Sequence, residues 1–174
     1  GELIEGLRED ELYPETTELL QACRASPFIE ILHVRRELSD QTRSEYIVID
    51  AGDGTVDFGN PGGIRREERL AISVNHQSRV PILVFALRKD FPALSHQHAS
   101  PPGSPRVLCL YSSTWATAQL GWTPQRFLAR MFWWLRESAQ LKLHRDDQPL
   151  EQLFYMSPYQ LILPANYGDY AQPG

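Results

Sequence analysis

Cys109 follows a run crowded with proline, glycine and histidine: Ser95-His96-Gln97-His98-Ala99-Ser100-Pro101-Pro102-Gly103-Ser104-Pro105. Further on stands a polar stretch, His144-Arg145-Asp146-Asp147-Gln148-Pro149, with another imidazole and two carboxylates. A thiolate is a strong nucleophile, and imidazoles and carboxylates move protons near neutral pH. Sulfur is the one strong nucleophile here with a recognisable setting, and the chemistry it could perform is nucleophilic, covalent catalysis.

A structural reading competes. Val107, Cys109 and Tyr111 alternate with Leu108 and Leu110, as in a half-buried or buried strand. Cysteine is also among the most buried residue types, so periodicity alone leaves Cys109 open to both readings. A Cys-His-Asp protease cannot be built from spacing alone, because a histidine before and an aspartate after a cysteine are common in any chain of this size. A metal site from His96, His98 and Cys109 lacks the second close pair that tetrahedral ligation expects. No metal and no cofactor is expected.

Further pieces stand in order around the thiol: Leu87-Arg88-Lys89-Asp90-Phe91-Pro92, His96, Leu108-Cys109-Leu110-Tyr111, Trp115, Trp122-Thr123-Pro124, Trp134-Leu135, Leu143-His144 and Asp147-Gln148-Pro149-Leu150-Glu151. Taken together they resemble the bacterial ubiquitin-conjugating (E2-like) family of CBASS anti-phage operons, whose members stand alone or are fused to an E1-like adenylating domain. Ile64-Arg65-Arg66-Glu67-Glu68-Arg69-Leu70 extends the resemblance loosely, and residues 1–45 share it in outline. The resemblance implies an α+β, ubiquitin-conjugating-enzyme-like (UBC-like) fold and a transferase with Cys109 as its nucleophile and acyl carrier. It implies His96 as the family histidine, with Gln97, His98 or a backbone N–H left to stabilise the oxyanion, since no asparagine stands between Asn75 and Cys109. His144 and Asp147 become the groups that orient and deprotonate an incoming amine. The implied partners are a cGAS-like nucleotidyltransferase, through its C-terminal tail, and an E1-like protein. A cysteine hydrolase of protein conjugates and a non-catalytic E2-fold binding module are the alternatives.

Composition is consistent with this. A chain of 174 residues, 42% hydrophobic and 22% charged, suits one globular domain spanning 1–174. A net charge of -5 leaves no basic footprint for nucleic acid. No apolar run approaches the ~20 residues of a membrane span, and no signal peptide is visible. Cys23 and Cys109 are far apart without metal-type spacing, and a reducing cytoplasm suits a free thiol.

The elements that must position Cys109 can be read in order. Residues 1–13 are acidic and expected as a short helix or a mobile arm. Pro14 opens a helix to Ala25, with Leu19, Leu20 and Cys23 on its apolar stripe and Ser26-Pro27 as its stop. Residues 28–38, 46–50, 70–74 and 80–87 read as a four-stranded antiparallel meander, with a turn at 39–42. The glycines of 52–63 lack the Lys-Ser/Thr pair of a phosphate-binding loop and are taken as turns. Arg65 to Arg69 is expected as a solvated charged face, and residues 90–105 as a long irregular loop. Thr123 and Pro124 cap and open a helix whose aromatics, Trp133 and Trp134 included, are expected in the core. A polar turn at 144–151, a short apolar segment at 154–164 and a tail at 165–174 complete an N-terminal helix, a meander and C-terminal helices.

Overall fold

In the computed structural model, residues 2–5, 7–38, 43–75, 82–111 and 115–143 are described. Strand β1 (Glu2–Glu5) precedes helix α1 (Pro14–Ala25), and β2 (Ile29–Leu38), β3 (Arg43–Ala51), β4 (Glu68–Asn75) and β5 (Ile82–Ala86) follow. Then come β6 (Gln97–His98), β7 (Arg106–Leu108), α2 (Trp115–Ala118) and α3 (Pro124–Ala139). All pairings are antiparallel, in the order β1-β2-β3-β4-β5-β7-β6.

The expected meander is present as β2 to β5, but it is the centre of a seven-stranded sheet rather than the whole of it. The strands missed are short. β6 has two residues, too few to show a period, so pairing rather than local propensity makes it a strand, while β7 falls on the strand-like run from Val107 to Tyr111 but ends at Leu108. β1 reads Glu2-Leu3-Ile4-Glu5, whose acidic ends hide a strand, and it pairs with Arg35 to Leu38 of β2. The N-terminal segment, expected as a short helix or a mobile arm, adds an edge strand and a short 3₁₀ helix at Glu9–Glu11.

Helix α1 takes the predicted bounds. Pro14 stands at its first turn, and the N–H of Tyr13 donates to Glu45 Oε2 at 3.0 Å, so a carboxylate from β3 caps it. Glu45 is fully buried and also pairs with Arg36. Leu19, Leu20 and Cys23 enter a core with Ile47, Ile49, Leu70, Ile72 and Val84 of the sheet and with Phe127, Met131 and Trp134 of α3. In α3, Thr123 Oγ1 accepts the N–H of Arg126 at 3.2 Å, the cap expected. Its aromatics divide: Trp134 is wholly buried, whereas Phe132 and Trp133 are half-exposed beside Phe28 in a groove between α1 and α3.

The glycine-rich loop serves packing. Gly62 donates to the Ala139 carbonyl at 2.9 Å, and a Cβ there would lie 2.1 Å from the Ser138 carbonyl oxygen. Only glycine lets this loop reach the end of α3. Asn60 closes the turn by donating to the carbonyls of Asp57 and Ile64.

Candidate active site

Cys109 lies one residue beyond β7. Its neighbours Leu108 and Leu110 are buried and pin the chain on both sides, while Cys109 itself is half-exposed. Its N–H donates to the His96 carbonyl at 2.9 Å, which extends the β6–β7 ladder past the strand end. Its Sγ lies 3.5 Å from the Tyr111 carbonyl, an acceptor for the thiol proton.

The loop before Cys109 is tied down more firmly than an irregular loop. Gln97 pairs with Leu108 and His98 with Val107. Gln97 is buried and satisfied locally: its amide donates to the Pro92 carbonyl at 2.9 Å, and its Oε1 accepts the Leu94 N–H at 3.2 Å. This side chain holds its own loop. The pleat sets His98 on the opposite side of the strand from Gln97. Desolvation by the loop lowers the pKa of His98, although its residue surface remains open to solvent. His96 has φ 58, a left-handed conformation that costs a non-glycine residue roughly 1–2 kcal/mol. Such strain clusters at working sites.

On the other flank runs an edge-to-face series of rings, Tyr111 to Trp115 at 6.3 Å and Trp115 to Trp122 at 6.3 Å, then Phe127. Arg130 reaches from α3 to the same place. Its Nε donates to the Leu110 carbonyl at 2.7 Å, and its guanidinium carbon stacks 3.8 Å from the centroid of Trp133. Burial lowers the pKa of Arg130, while the charges of Tyr111 and Cys109 raise it.

The base of the loop is held by a buried ion pair. Arg88 donates to Glu68 through Nε at 3.0 Å and Nη2 at 2.8 Å, and to the carbonyls of Asp90 at 3.0 Å and Gly63 at 2.9 Å. Glu68 is 1% exposed, which corrects the reading of 65–69 as a solvated face throughout. Arg65, Arg66, Glu67 and Arg69 are exposed, but Glu68 opens β4 and points inward as the strand alternation begins. A cleft of about 660 Å³ opens between Leu87–Lys89 and Ser100–Arg106, at the opposite end of β7 from Cys109.

Of the residues singled out in the sequence, the structure joins Cys109 to the His96 backbone and sets His98 opposite Val107. His144 and Asp147 lie outside the described residues. Cys23 is 0% exposed, and burial pushes its thiol up to about 12. Among the described residues, no group of three or more His, Cys, Asp or Glu side chains is placed to hold a metal ion. No helix among them is long and apolar enough to cross a membrane. Sequence reasoning missed Arg130. Its signal is the absence of acid around it, since the positions three and four residues away are Arg126, Phe127, Trp133 and Trp134.

An antiparallel sheet flanked by helices, with a half-exposed cysteine beyond a short inner strand, is compatible with an E2-like protein. The model of prokaryotic E2 family A matches residues 37–171, and the chain belongs to that family. Membership suggests a conjugating-enzyme-like function and transferase chemistry. No curated protein and no solved structure matches the chain.

Proposed function

We propose that the protein is an E2-like conjugating enzyme in which Cys109 carries a protein C-terminus as a thioester and passes it to an amine. The observation that carries this reading is the setting of Cys109 in a chain of this family: half-exposed, pinned by two buried leucines and tied to the His96 carbonyl. The Cys109 thiolate attacks the carbonyl of an E1-bound thioester; a new C–S bond forms and the E1 sulfur leaves as a thiolate. An amine that has lost its proton then attacks the same carbonyl. A C–N bond forms, the C–S bond breaks, and the Cys109 sulfur departs with the electron pair and takes up the proton that the attacking nitrogen releases, so that the thiol is regenerated. His96 and His98 are assigned to the donor side of this exchange, and His144 and Asp147 to the amine.

The donor in this reading is the C-terminal tail of a cGAS-like nucleotidyltransferase, delivered by an E1-like adenylating protein in cytoplasmic anti-phage defence. Its support is the resemblance over residues 88–151. The test combines the purified chain, the E1-like protein, the nucleotidyltransferase and ATP, followed by a non-reducing gel. A thiol-sensitive adduct that disappears in Cys109→Ser is expected. An adduct that persists in that variant removes Cys109 as the carrier. Cleavage of a preformed conjugate by the chain alone, without E1 and ATP, would make it a hydrolase.

A further inference from the structure

The loop before Cys109 also builds a cationic cleft. Its volume is about 660 Å³, and it opens between Leu87–Lys89 on one wall and Ser100–Arg106 on the other. Arg88, Lys89 and Arg106 line it, and among the described residues no carboxylate does. The Arg88 guanidinium is held by Glu68 and reaches the Asp90 carboxylate, which Arg65 also holds outside the lining. Lys89 is exposed and Arg106 half-exposed, one from each wall. Ser100 adds a buried hydroxyl with no hydrogen-bond partner among the described residues, and a buried polar group left unpaired is unfavourable. Phe91 and the proline-rich wall at 101–105 supply apolar surface. A cleft with a few polar groups among apolar ones has the make-up and size of a ligand site, and its cations select carboxylate side chains.

We propose that this cleft receives an acidic side chain from the tail of the protein joined at Cys109, three to five residues before the joined carbonyl. The inference rests on the reading of Cys109 as the acyl carrier and adds what the tail must contain. β7 connects the two places: Arg106 opens the strand at the cleft, and Cys109 lies one residue past its other end. Three residues of strand span about 10 Å, which an extended tail covers in about three residues, and the length of the Arg106 side chain accounts for one or two more. A glutamate or aspartate at that distance meets the Arg106 guanidinium and the Lys89 ammonium while its terminus lies at the sulfur. A tail that is neutral or basic there leaves the two cations unmatched, so the cleft acts on the choice of donor.

The test needs no E1. Synthetic peptides of glycine, serine and alanine, each ending in a thioester of a small thiol, carry glutamate, glutamine or lysine at the third to fifth positions before the thioester. The Cys109 thiolate takes the acyl group, the small thiol leaves, and mass spectrometry follows the acylated protein. At low salt the glutamate peptide is expected to acylate the parent chain about tenfold faster than the glutamine peptide, the scale of one charge-assisted hydrogen bond. Arg106→Glu is expected to reverse the order in favour of lysine, and the exposed change Lys89→Glu to weaken it in the same direction. Each ratio is taken within one protein, so a loss of stability cancels. Equal rates for the three peptides in the parent overturn the proposal, as does a glutamate preference that survives both variants. If no peptide acylates Cys109, a fluorescein-labelled glutamate peptide is titrated with the Cys109→Ser protein by anisotropy. Binding that the added Arg106→Glu change removes keeps the cleft while the carrier reading fails. No binding, or binding that persists with that change, overturns the inference. Displacement of the peptide by an equal concentration of inorganic phosphate also overturns it, since the cleft would then take any anion.

Discussion

The backbone N–H of Cys109 donates to the carbonyl of His96 at 2.9 Å, so histidine and thiol are linked through the main chain. His96 can therefore lose its imidazole without losing that link. His96→Ala is expected to keep its melting temperature within a few degrees of the parent while thioester formation or discharge falls. His96→Gly removes the same ring and relieves a left-handed residue at φ 58, which should stabilise the chain by about 1 kcal/mol relative to alanine. Thermal melting and thioester yield are measured on both. A large drop in melting temperature in His96→Ala, with normal activity per folded molecule, makes the imidazole structural.

The two thiols should differ sharply in reactivity. Cys109 is half-exposed and Cys23 fully buried, with its pKa near 12. At pH 8 the Cys23 thiolate is about one part in 10⁴, so alkylation of native protein should mark Cys109 first. Labelling of Cys23 at an equal or faster rate contradicts the assignment.

Burial of Cys23 also has a stability consequence at high pH. Its folded pKa of about 12 is raised above the ordinary 9.0. Between those values the unfolded chain ionises while the folded chain does not, so stability is full below pH 9 and falls as pH rises toward 12. Tyr46 and Tyr111, also raised by burial, add losses of the same sign. The comparison that isolates the thiol is Cys23→Ala against the parent in urea titrations at several pH values. Cys23→Ala should show the shallower decline, whatever its stability at neutral pH. Parallel declines would show that Cys23 stays protonated or exposed alike in both states.

Removing one partner of the Arg88–Glu68 pair should unfold more than a contact. Glu68 accepts from Arg88 twice and from the Arg65 N–H at 2.8 Å, while Arg88 also holds the Gly63 and Asp90 carbonyls. Glu68→Ala leaves the buried guanidinium with only the exposed Asp90 carboxylate, 3.1 Å from Nη1, as its ion-pair partner, and breaking a buried pair costs up to about 3–5 kcal/mol. The double variant Glu68→Leu/Arg88→Met should lose less than the sum of its single changes. Urea denaturation gives the cycle, and strict additivity would show that the two side chains do not depend on each other.

What the sequence made legible follows from where the information lies. α1 and α3 carry their own signals: Pro14 at a first turn, Thr123-Pro124 at a cap and apolar residues at helical spacing. The long central strands are equally plain from their β-branched runs. β6 is not, because a two-residue strand exists only through its partner, and β7 showed only as the strand-like run from Val107 to Tyr111, of which pairing keeps the start. Cys109 stands out as a candidate through its Pro- and His-rich approach and the family resemblance, not through its period. Arg130 and Glu68 were missed because burial decides their importance, and a charge run looks alike whether its members face solvent or the core.

The identity of the donor gives the last prediction. The acyl group carried by Cys109 is expected to be the C-terminus of a cGAS-like nucleotidyltransferase rather than free ubiquitin. A thiolate attacking a terminal carbonyl needs near-contact geometry, which favours an extended tail with little side-chain bulk. The donor should therefore end in glycine or alanine. Cys109→Lys would trap the tail as a stable amide, and mass spectrometry of the tryptic adduct would read its sequence. Replacing the donor's last residue with tryptophan should abolish the adduct while leaving the nucleotidyltransferase folded. An adduct that carries no nucleotidyltransferase tail, together with conjugation that survives deletion of that tail, removes this donor while leaving the family assignment intact.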